Sequence, residues 1–359
     1  MKKIPHQLLL VSEFRKFIAA SSSGRRLMSS GKKIRSGTIE QYECVFLLLE
    51  QFEKLQDEPL RITLLNRATL RLIQKEKNYW TRFFKKFSSF LYKNKNCYDQ
   101  YVSSVFKVIK TFLNYLKIDK ALPVGEFYKK FRIPSENINP VVLSPAQLKY
   151  LITSNEFESS LSPSLKRVKD IFVFGSTVAL RCQDLMRLRK NNLQEAEDAT
   201  YILLHTQKTN TEIKIPLPDY ALDILSKYKK KATPFLLPRL SSVNLNIGIK
   251  LLMKAAGWNY NLPKMRQRQG ESVEIKNKLG KTYKFYEHVT AHSMRRTAIT
   301  TLLLMGVDEN SVRRISGHAA GSKEFYKYVV IVQDYLNSTV KAAYLKLINE
   351  DEITVQKVA

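Results

Sequence analysis

Cysteine is scarce in this 359-residue chain, and its shortage excludes two kinds of small, cross-linked protein. The three cysteines, Cys44, Cys97 and Cys182, are far apart and form no CxxC pair. An odd number of widely spaced cysteines argues against a disulfide framework and against a zinc site. It favours a reducing compartment instead.

Long hydrophobic runs are also missing. The apolar stretch at 8–11 meets Glu13 and Arg15 too soon to form a secretory signal. No segment approaches the roughly 20 apolar residues that a membrane-spanning helix requires. Internal repeats, low-complexity tracts and a Walker phosphate-binding loop are absent as well. We therefore expect a soluble, cytoplasmic protein without a membrane partner.

Acidic residues are few relative to basic ones. The chain has 60 Lys and Arg against 32 Asp and Glu, which gives a net charge of +28. Residues 1–138 hold 27 basic and 12 acidic residues, and residues 139–359 hold 33 and 20. Both halves are thus basic, as a clamp around a DNA duplex requires. A merely soluble basic protein is the alternative.

Helical periodicity dominates the first third of the chain. One predicted helix carries Trp80, Phe83 and Phe87 on one side, and a second runs from about 100 to 116. Aromatic stripes of this kind are more often core than base-stacking surfaces. The opposite faces carry basic residues, and two interpretations of these residues are open: they contact DNA phosphates, or they simply face solvent. These candidate DNA-binding residues are Arg82, Lys85, Lys107 and Lys110.

Periodicity is lost over 118–142, where three prolines lie. This predicts a helical domain at 1–118, a linker at 119–142 and a second domain at 143–359. Capping patterns predict helix starts at Ser144 and at Thr38. Alternation predicts one β-hairpin from 201–205 and 212–216, and another between 272 and 286 around Gly280. The expected fold class is mainly α with a small β-sheet.

Three short segments of the second domain hold residues suited to phosphate chemistry. Arg181 follows an apolar run and must meet an anion or a carboxylate, for which Asp184 is a candidate; a surface ion pair is the alternative. His292 and Arg295 are three apart and share a helix face, although His292 could instead be a capping residue. The third segment holds His318, Tyr326 and Tyr328. A tyrosine near a phosphate site can act as a nucleophile, but most tyrosines simply pack.

Taken in order, these segments resemble the tyrosine recombinases, also called phage integrases. ALRCQDLMRL is similar to the first arginine motif of that family, and TQKTNTEIKIPLP to its β-hairpin lysine motif. HSMRRTAIT resembles the HxxRxT motif, and SGHAAGSKEFYKYV the GH…Y motif. The likeness covers about 143–345 and extends more weakly to 8–118, which resembles a core-type DNA-binding domain. The stretch 244–296 looks most like integrases of Bacteroides-type mobile elements.

The resemblance implies a site-specific DNA recombinase that cleaves and rejoins strands through a 3′-phosphotyrosyl bond, without metal, ATP or other cofactor. It implies a homotetramer on paired sites of double-stranded DNA, with an accessory DNA-bending protein left open. A final helix near 334–348, with Tyr335, Val340, Tyr344, Leu345 and Ile348, could pack on a neighbouring subunit or on its own domain. The catalytic residues implied are Arg181, Lys208, His292, Arg295, His318 and Tyr328.

Three departures from the family pattern concern the site itself. Ala179 replaces the usual glycine, and Ser316 replaces the usual leucine before Gly-His. The family tyrosine commonly follows that histidine by nine residues, whereas here Tyr326 and Tyr328 follow it by eight and ten. The FYKYV pattern favours Tyr328. A type IB topoisomerase-like enzyme, a telomere resolvase or a catalytically silent DNA-binding regulator are the alternative functions.

Overall fold

The computed structural model describes residues 7–133, 140–196, 199–205, 212–230, 232–319 and 321–349. Within the last range it gives only the backbone at 334, 335, 338, 339, 342, 343 and 346–349. Contacts divide the chain into two compact units. The first comprises Met1–Ile138 with Met265–Ile275, and the second comprises Asn139–Lys264 with Lys276–Ala359.

Helices form most of the first unit. They are α1 (Leu10–Ser22), α2 (Ser36–Glu53), α3 (Leu70–Lys93) and α4 (Asp99–Ile118). Strand β1 (Gln7–Leu9) pairs with β2 (Arg61–Thr63) in an antiparallel ladder. The aromatic stripes turn inward, and Phe17, Phe87 and Phe112 are fully buried in one core. The prediction that these stripes are core, rather than base-stacking surfaces, is confirmed.

The second unit is mixed but mainly helical. Its helices are α5 (Pro145–Thr153), α6 (Asn155–Ser160), α7 (Pro163–Val178), α8 (Cys182–Leu185), α9 (Asp219–Lys229), α10 (Ser242–Ala255), α11 (Phe285–His288), α12 (Ala291–Leu304), α13 (Glu309–Ser316) and α14 (Lys323–Asn349). A small antiparallel sheet has the order β3 (Leu193–Glu195), β4 (Thr200–His205) and β5 (Glu212–Pro216). The predicted fold class is confirmed, as is the first hairpin.

Local capping signals gave one correct helix start and one wrong one. Ser144 caps α5 as predicted, because its hydroxyl accepts from the Gln147 backbone while the Gln147 side chain accepts from Ser144. The predicted start at Thr38 is wrong. Helix α2 begins at Ser36, and Arg35 provides its first backbone acceptor without any side-chain cap.

The second predicted hairpin lies earlier in the chain than expected. Strands β6 (Lys264–Arg268) and β7 (Glu271–Ile275) turn at Gln269 and Gly270, where both residues have a positive φ. This turn suits a two-residue hairpin, whose backbone matches the twist of its strands. Around Gly280 the chain forms only a single bridge, between Lys276 and Thr282. In the first unit, the buried Asp99 carboxylate accepts the backbone N–H groups of Gln269 and Gly270.

Part of the predicted linker packs into the first unit. Tyr128 and Phe131 are buried in its core, and Val124 bridges Leu64. The boundaries at 119–142 and 143 stay a prediction. In the part of the chain that the structure describes, every helix is too short or too polar to cross a membrane.

Candidate active site

The first arginine motif lies at the junction of α7 and α8. Helix α7 ends at Val178, and the C-cap residue Ala179 adopts the left-handed conformation with φ of 55°. Because this conformation is unfavourable for a residue with a β-carbon, the turn is strained where the family pattern has glycine. The turn positions Arg181 just before α8. Its Nη1 is buried without a hydrogen-bond partner among the described residues, and Asp184 is buried rather than exposed.

Helix α12 carries the second arginine of the site. Its N-cap is Thr290, so His292 is not a capping residue. Arg295 is only 2% exposed, and its Nη1 donates to the carbonyl oxygen of Ala179 at 3.0 Å. This bond holds the arginine against the strained turn. The two arginine motifs, which are more than 100 positions apart in the sequence, therefore meet in space.

His318 follows the end of α13 and faces Arg295. Gly317, with φ of 61°, ends the helix, and the backbone N–H of His318 donates to the Arg313 carbonyl. Glycine suits this position because it adopts a positive φ without strain. The resulting turn brings the imidazole within 3.1 Å (Nε2) and 3.3 Å (Nδ1) of Arg295 Nη2.

The two candidate tyrosines occupy different surroundings on α14. Tyr328 is 6% exposed, and its ring lies 6.0 Å from that of His318 between centroids. Phe325 is fully buried and Val329 packs on the same cluster, so the apolar face expected to hold Tyr328 is present. Tyr326 is 50% exposed, and its ring lies under the Arg313 guanidinium at 5.1 Å.

Burial, and after it the clustered cations, lower several pKa values at this site. Burial, followed by repulsion from Arg181, lowers the pKa of Arg295 to about 10, while Tyr328 and Asp184 act in the opposite direction. Desolvation, then repulsion from Arg296, Arg295 and Arg181, lowers the pKa of His292 to about 4. Burial and the nearby arginines lower the pKa of His318 to about 3. Both imidazoles are therefore neutral at pH 7, and the cluster favours an added anion.

The low histidine pKa values predict acid sensitivity. In an unfolded chain a histidine titrates near pH 6.5, so between about pH 6.5 and the folded values the unfolded chain holds more protons. Stability is then greatest above about pH 6.5 and falls as the pH decreases toward 4. Urea unfolding midpoints between about pH 8 and about pH 5 measure this.

The contribution of His292 and His318 to the loss of stability at low pH can be separated from that of the other titrating groups. Replacing both His292 and His318 by glutamine should make the decline with falling pH shallower. The matched change His205→Gln, at an exposed histidine of β4, should leave it unchanged. The same slope in the double variant and the wild type would contradict the assignment.

The remaining predicted site residues are Lys208 and four basic residues of the first unit. Lys208 falls outside the described residues. Arg82 and Lys85 are exposed on α3, Lys107 is exposed on α4, and Lys110 is half-buried beside it. These four make no ion pair with any described residue. Burial, then repulsion from Arg132 and Lys107, lowers the pKa of Lys110. Arg132, which helical periodicity could not place, therefore belongs to the basic group on α4.

A family comparison decides what class of protein carries this cluster. The phage integrase family matches residues 142–330, more than half of the chain. The chain belongs to the phage integrase family. Its enzymatic class is therefore that of the tyrosine recombinases, which break and rejoin DNA. The matched region contains the arginines, the histidines and Tyr328. No relative among curated protein sequences matches this integrase.

Solved structures of similar fold include other recombinases. XerH site-specific recombinase, bound to a palindromic difH substrate, matches with a TM-score of 0.60 and 11% identity over 92% of this chain and 95% of that one. The Tn1549 transposon integrase in complex with transposon right end DNA matches with a TM-score of 0.59 and 16% identity. The match covers 89% of this chain and 94% of that one. A lambda integrase tetramer bound to a Holliday junction matches with a TM-score of 0.50 and 13% identity. The match covers 88% of this chain and 79% of that one. At these identities the likeness concerns the fold.

Among the described residues, no three His, Cys, Asp or Glu side chains are grouped to hold a metal ion.

Proposed function

We propose that this integrase cleaves DNA with Tyr328 as nucleophile and with Arg181 and Arg295 as the binding site for the scissile phosphate. One observation carries the proposal. Arg181 has a buried Nη1 without a partner among the described residues, Arg295 is buried nearby, and a buried tyrosine lies beside them. Desolvated guanidinium groups are costly unless an anion completes the site. A phosphodiester supplies that anion.

In the proposed reaction the Tyr328 hydroxyl attacks phosphorus and the bond to the 5′-oxygen breaks. The product is a 3′-phosphotyrosyl link and a free 5′-hydroxyl. The arginines stabilise the charge that develops on the non-bridging oxygens. His292 hydrogen-bonds the phosphate, and Lys208 protonates the leaving oxygen. Because the link preserves the energy of the bond, a 5′-hydroxyl from another strand can later reverse the step without ATP.

Basic surface on the first unit supports binding to the DNA backbone. Lys107, Lys110 and Arg132 form a group on and beside α4 whose mutual repulsion is relieved when phosphates approach. Arg82 and Lys85 extend the exposed charge along α3. Contacts to phosphate position a protein on DNA without reading its sequence. We therefore propose that these residues contribute to the affinity for DNA rather than to recognition of the target sequence.

This assignment predicts steep salt dependence. Each neutralised phosphate contributes about −0.9 to the slope of log K against log salt, so the double variant Lys107→Ala, Lys110→Ala should reduce the slope by about 2. Fluorescence anisotropy on a DNA duplex at several salt concentrations measures it. Lys117→Ala is the matched control on the same helix, because its ammonium already pairs with Glu126. A slope unchanged in the double variant would remove these lysines from the interface.

The proposed assembly is a homotetramer on paired sites. Helix α14 exposes Val340, Tyr344 and Leu345, which are each more than half exposed. An apolar face of this kind suits a neighbouring copy. The side chains of Tyr335 and Ile348 lie outside those described. Four chains per synapsed pair of sites would support recombination, whereas one chain per site would favour a topoisomerase-like enzyme.

Cleavage can be tested before the target is known. A pool of nicked duplexes, randomised around the nick, is incubated with the full-length integrase, and protein-linked DNA is recovered under denaturing conditions. A nick shortly beyond the cleavage site lets the short fragment that carries the new 5′-hydroxyl diffuse away, and so traps the adduct. Recovery and sequencing of linked DNA would give both the activity and the preferred site. Absence of any adduct would overturn the proposal in favour of a silent DNA-binding regulator.

We also propose that the protein is an integrase of a mobile element and that it is located in the cytoplasm. The stretch 244–296 supports an integrase of a Bacteroides-type element through its resemblance alone. Genes of a transposable element beside the coding sequence would agree with it. An enzyme that acts on DNA works where DNA is, which supports the cytoplasm.

A further inference from the structure

Arg313 lies on α13 and packs against the start of α14. Its guanidinium lies 4.5 Å from the centroid of the Phe325 ring and 5.1 Å from that of Tyr326. The side chain is only 12% exposed, and its Nη2 pairs with Glu309 at 3.1 Å. Its Nε is buried without a hydrogen-bond partner among the described residues. The two rings therefore account for much of the placement of this guanidinium, and its burial leaves it poorly placed to contact DNA.

Contact with two consecutive rings restricts the rotation of α14 about its axis. Neighbouring residues of an α-helix point about 100° apart, so one guanidinium can lie over both rings only within a narrow range of rotation. In this range Phe325 is fully buried and Tyr326 is half exposed. Tyr328, about 200° from Tyr326, is turned inward, with its ring 6.2 Å from that of Phe325 between centroids. The rotation that satisfies Arg313 is therefore the one that buries Tyr328 in the cluster.

The connection between α13 and α14 does not set this rotation by itself. It contains Gly317 and Gly321, which both have a positive φ, and glycine adopts many backbone conformations at little cost. The spacing is equally permissive, because Tyr326 and Tyr328 follow His318 by eight and ten residues. Apolar packing of α14 on its core is non-directional, so a more specific contact between the two helices has to supply the rest.

The same residue also fixes the turn that follows α13. The Arg313 backbone carbonyl accepts the N–H of His318 at 3.0 Å. The His318 ring packs edge-on against Phe325, with centroids 5.5 Å apart. Arg313 thus holds the His318 turn through its backbone and the tyrosine-bearing helix through its side chain. A movement of α14 relative to this turn has to break one of these contacts.

We propose that Arg313 is a positioning residue that fixes the rotation of α14, so that Tyr328 rather than Tyr326 reaches the scissile phosphate. The proposal rests on the proposed function and concerns which tyrosine attacks. Arg313 takes part in no bond that forms or breaks. Its effect on the reaction passes entirely through the placement of the attacking oxygen.

Arg313→Ala removes the contact with both rings. At saturating protein, single-turnover adduct formation on a nicked duplex should slow by on the order of 10²-fold, the scale that misplacing a reacting group by about 1 Å can cost. Affinity for DNA should stay unchanged, because the side chain is buried. Arg313→Lys keeps the charge but not the planar group that packs on the rings, so it should restore little of the rate. Wild-type cleavage by Arg313→Ala, or full rescue by Arg313→Lys, would overturn the proposal.

Changes at Tyr326 test whether the contact itself is responsible. Tyr326→Phe keeps the ring on which Arg313 packs and should cleave at close to the wild-type rate, whereas Tyr326→Ala removes the ring and should be slowed. Both alanine changes break the same contact, so the double variant Arg313→Ala, Tyr326→Ala should be no slower than Arg313→Ala alone. Additive slowing would show that the two side chains act independently, and would overturn the proposal.

Hydrogen exchange tests the hold on α14 without any DNA. Backbone N–H groups in the first turns of α14 should exchange faster in full-length Arg313→Ala than in the wild type, as measured by mass spectrometry. Arg314→Ala is the matched control, because it removes an arginine from the next position of α13, where the side chain is exposed. It should change neither this exchange nor the cleavage rate. Unchanged exchange in Arg313→Ala would overturn the positioning role.

The outcomes also separate this inference from the function on which it rests. If the wild type forms no adduct, the proposed function fails and the choice between the tyrosines fails with it. An active wild type with an unaffected Arg313→Ala variant overturns this inference alone.

Discussion

Tyr328→Phe is expected to abolish the covalent protein–DNA adduct completely. The substitution removes only the attacking oxygen and keeps the ring that packs against Phe325 and His318. Folding and DNA affinity should therefore be those of the wild type. The measurement is adduct formation on a labelled nicked duplex, resolved on a denaturing gel.

Tyr326→Phe is the control two positions away. Tyr326 is half exposed and its ring packs under the Arg313 guanidinium, so the variant should form adduct at close to the wild-type rate. Peptide mapping of the DNA-linked residue completes the test. An adduct on Tyr326, or one that survives Tyr328→Phe, would reassign the nucleophile while leaving the family unchanged.

Arg295→Ala is expected to reduce the cleavage rate by about 10³-fold or more. Loss of one preorganised donor to a developing oxyanion typically costs 10²–10³, and arginines that stabilise a phosphoryl transition state contribute about 10³–10⁵. Arg295 also holds the Ala179 turn and contacts His318. Its removal therefore disturbs the geometry of the site as well as its charge.

In this variant the single-turnover cleavage rate should fall strongly, whereas the equilibrium affinity for DNA should change little. The DNA-backbone contacts proposed for the first unit do not involve Arg295, so DNA affinity should fall by no more than about tenfold. Arg314→Ala, at an exposed arginine on α13, removes the same charge outside the cluster and should cleave normally. Near wild-type cleavage by Arg295→Ala would show that this arginine does not stabilise the transition state.

The cluster itself was predictable because its members carry recognisable chemistry at fixed local spacing. HxxR places His292 and Arg295 on one helix face, and Gly317 marks the end of α13 just before His318. The fold class followed from periodicity in the same way. Local patterns suffice when neighbours in sequence are also neighbours in space.

Features that depend on how the chain packs in three dimensions could not be predicted from the sequence. Arg132 joins the basic group only because the fold brings it near Lys110 on another element. The choice between Tyr326 and Tyr328 depends on the rotation of α14 relative to Arg295. Thr38 has the residue types of a capping box, yet the backbone of Arg35 starts α2 two residues earlier. Tertiary packing decides each of these.

The buried Arg295 and the half-buried Arg181 also bear on how such a protein can evolve. Local choices in a natural sequence generally agree with the fold, but Arg181, Arg295 and the strained Ala179 conflict with it. Replacing a buried charge by an apolar side chain of similar volume often stabilises a protein. Stability and activity thus make opposite demands on these positions. Selection for thermal resistance alone would enrich inactive integrases, and only selection for recombination keeps this local frustration in place.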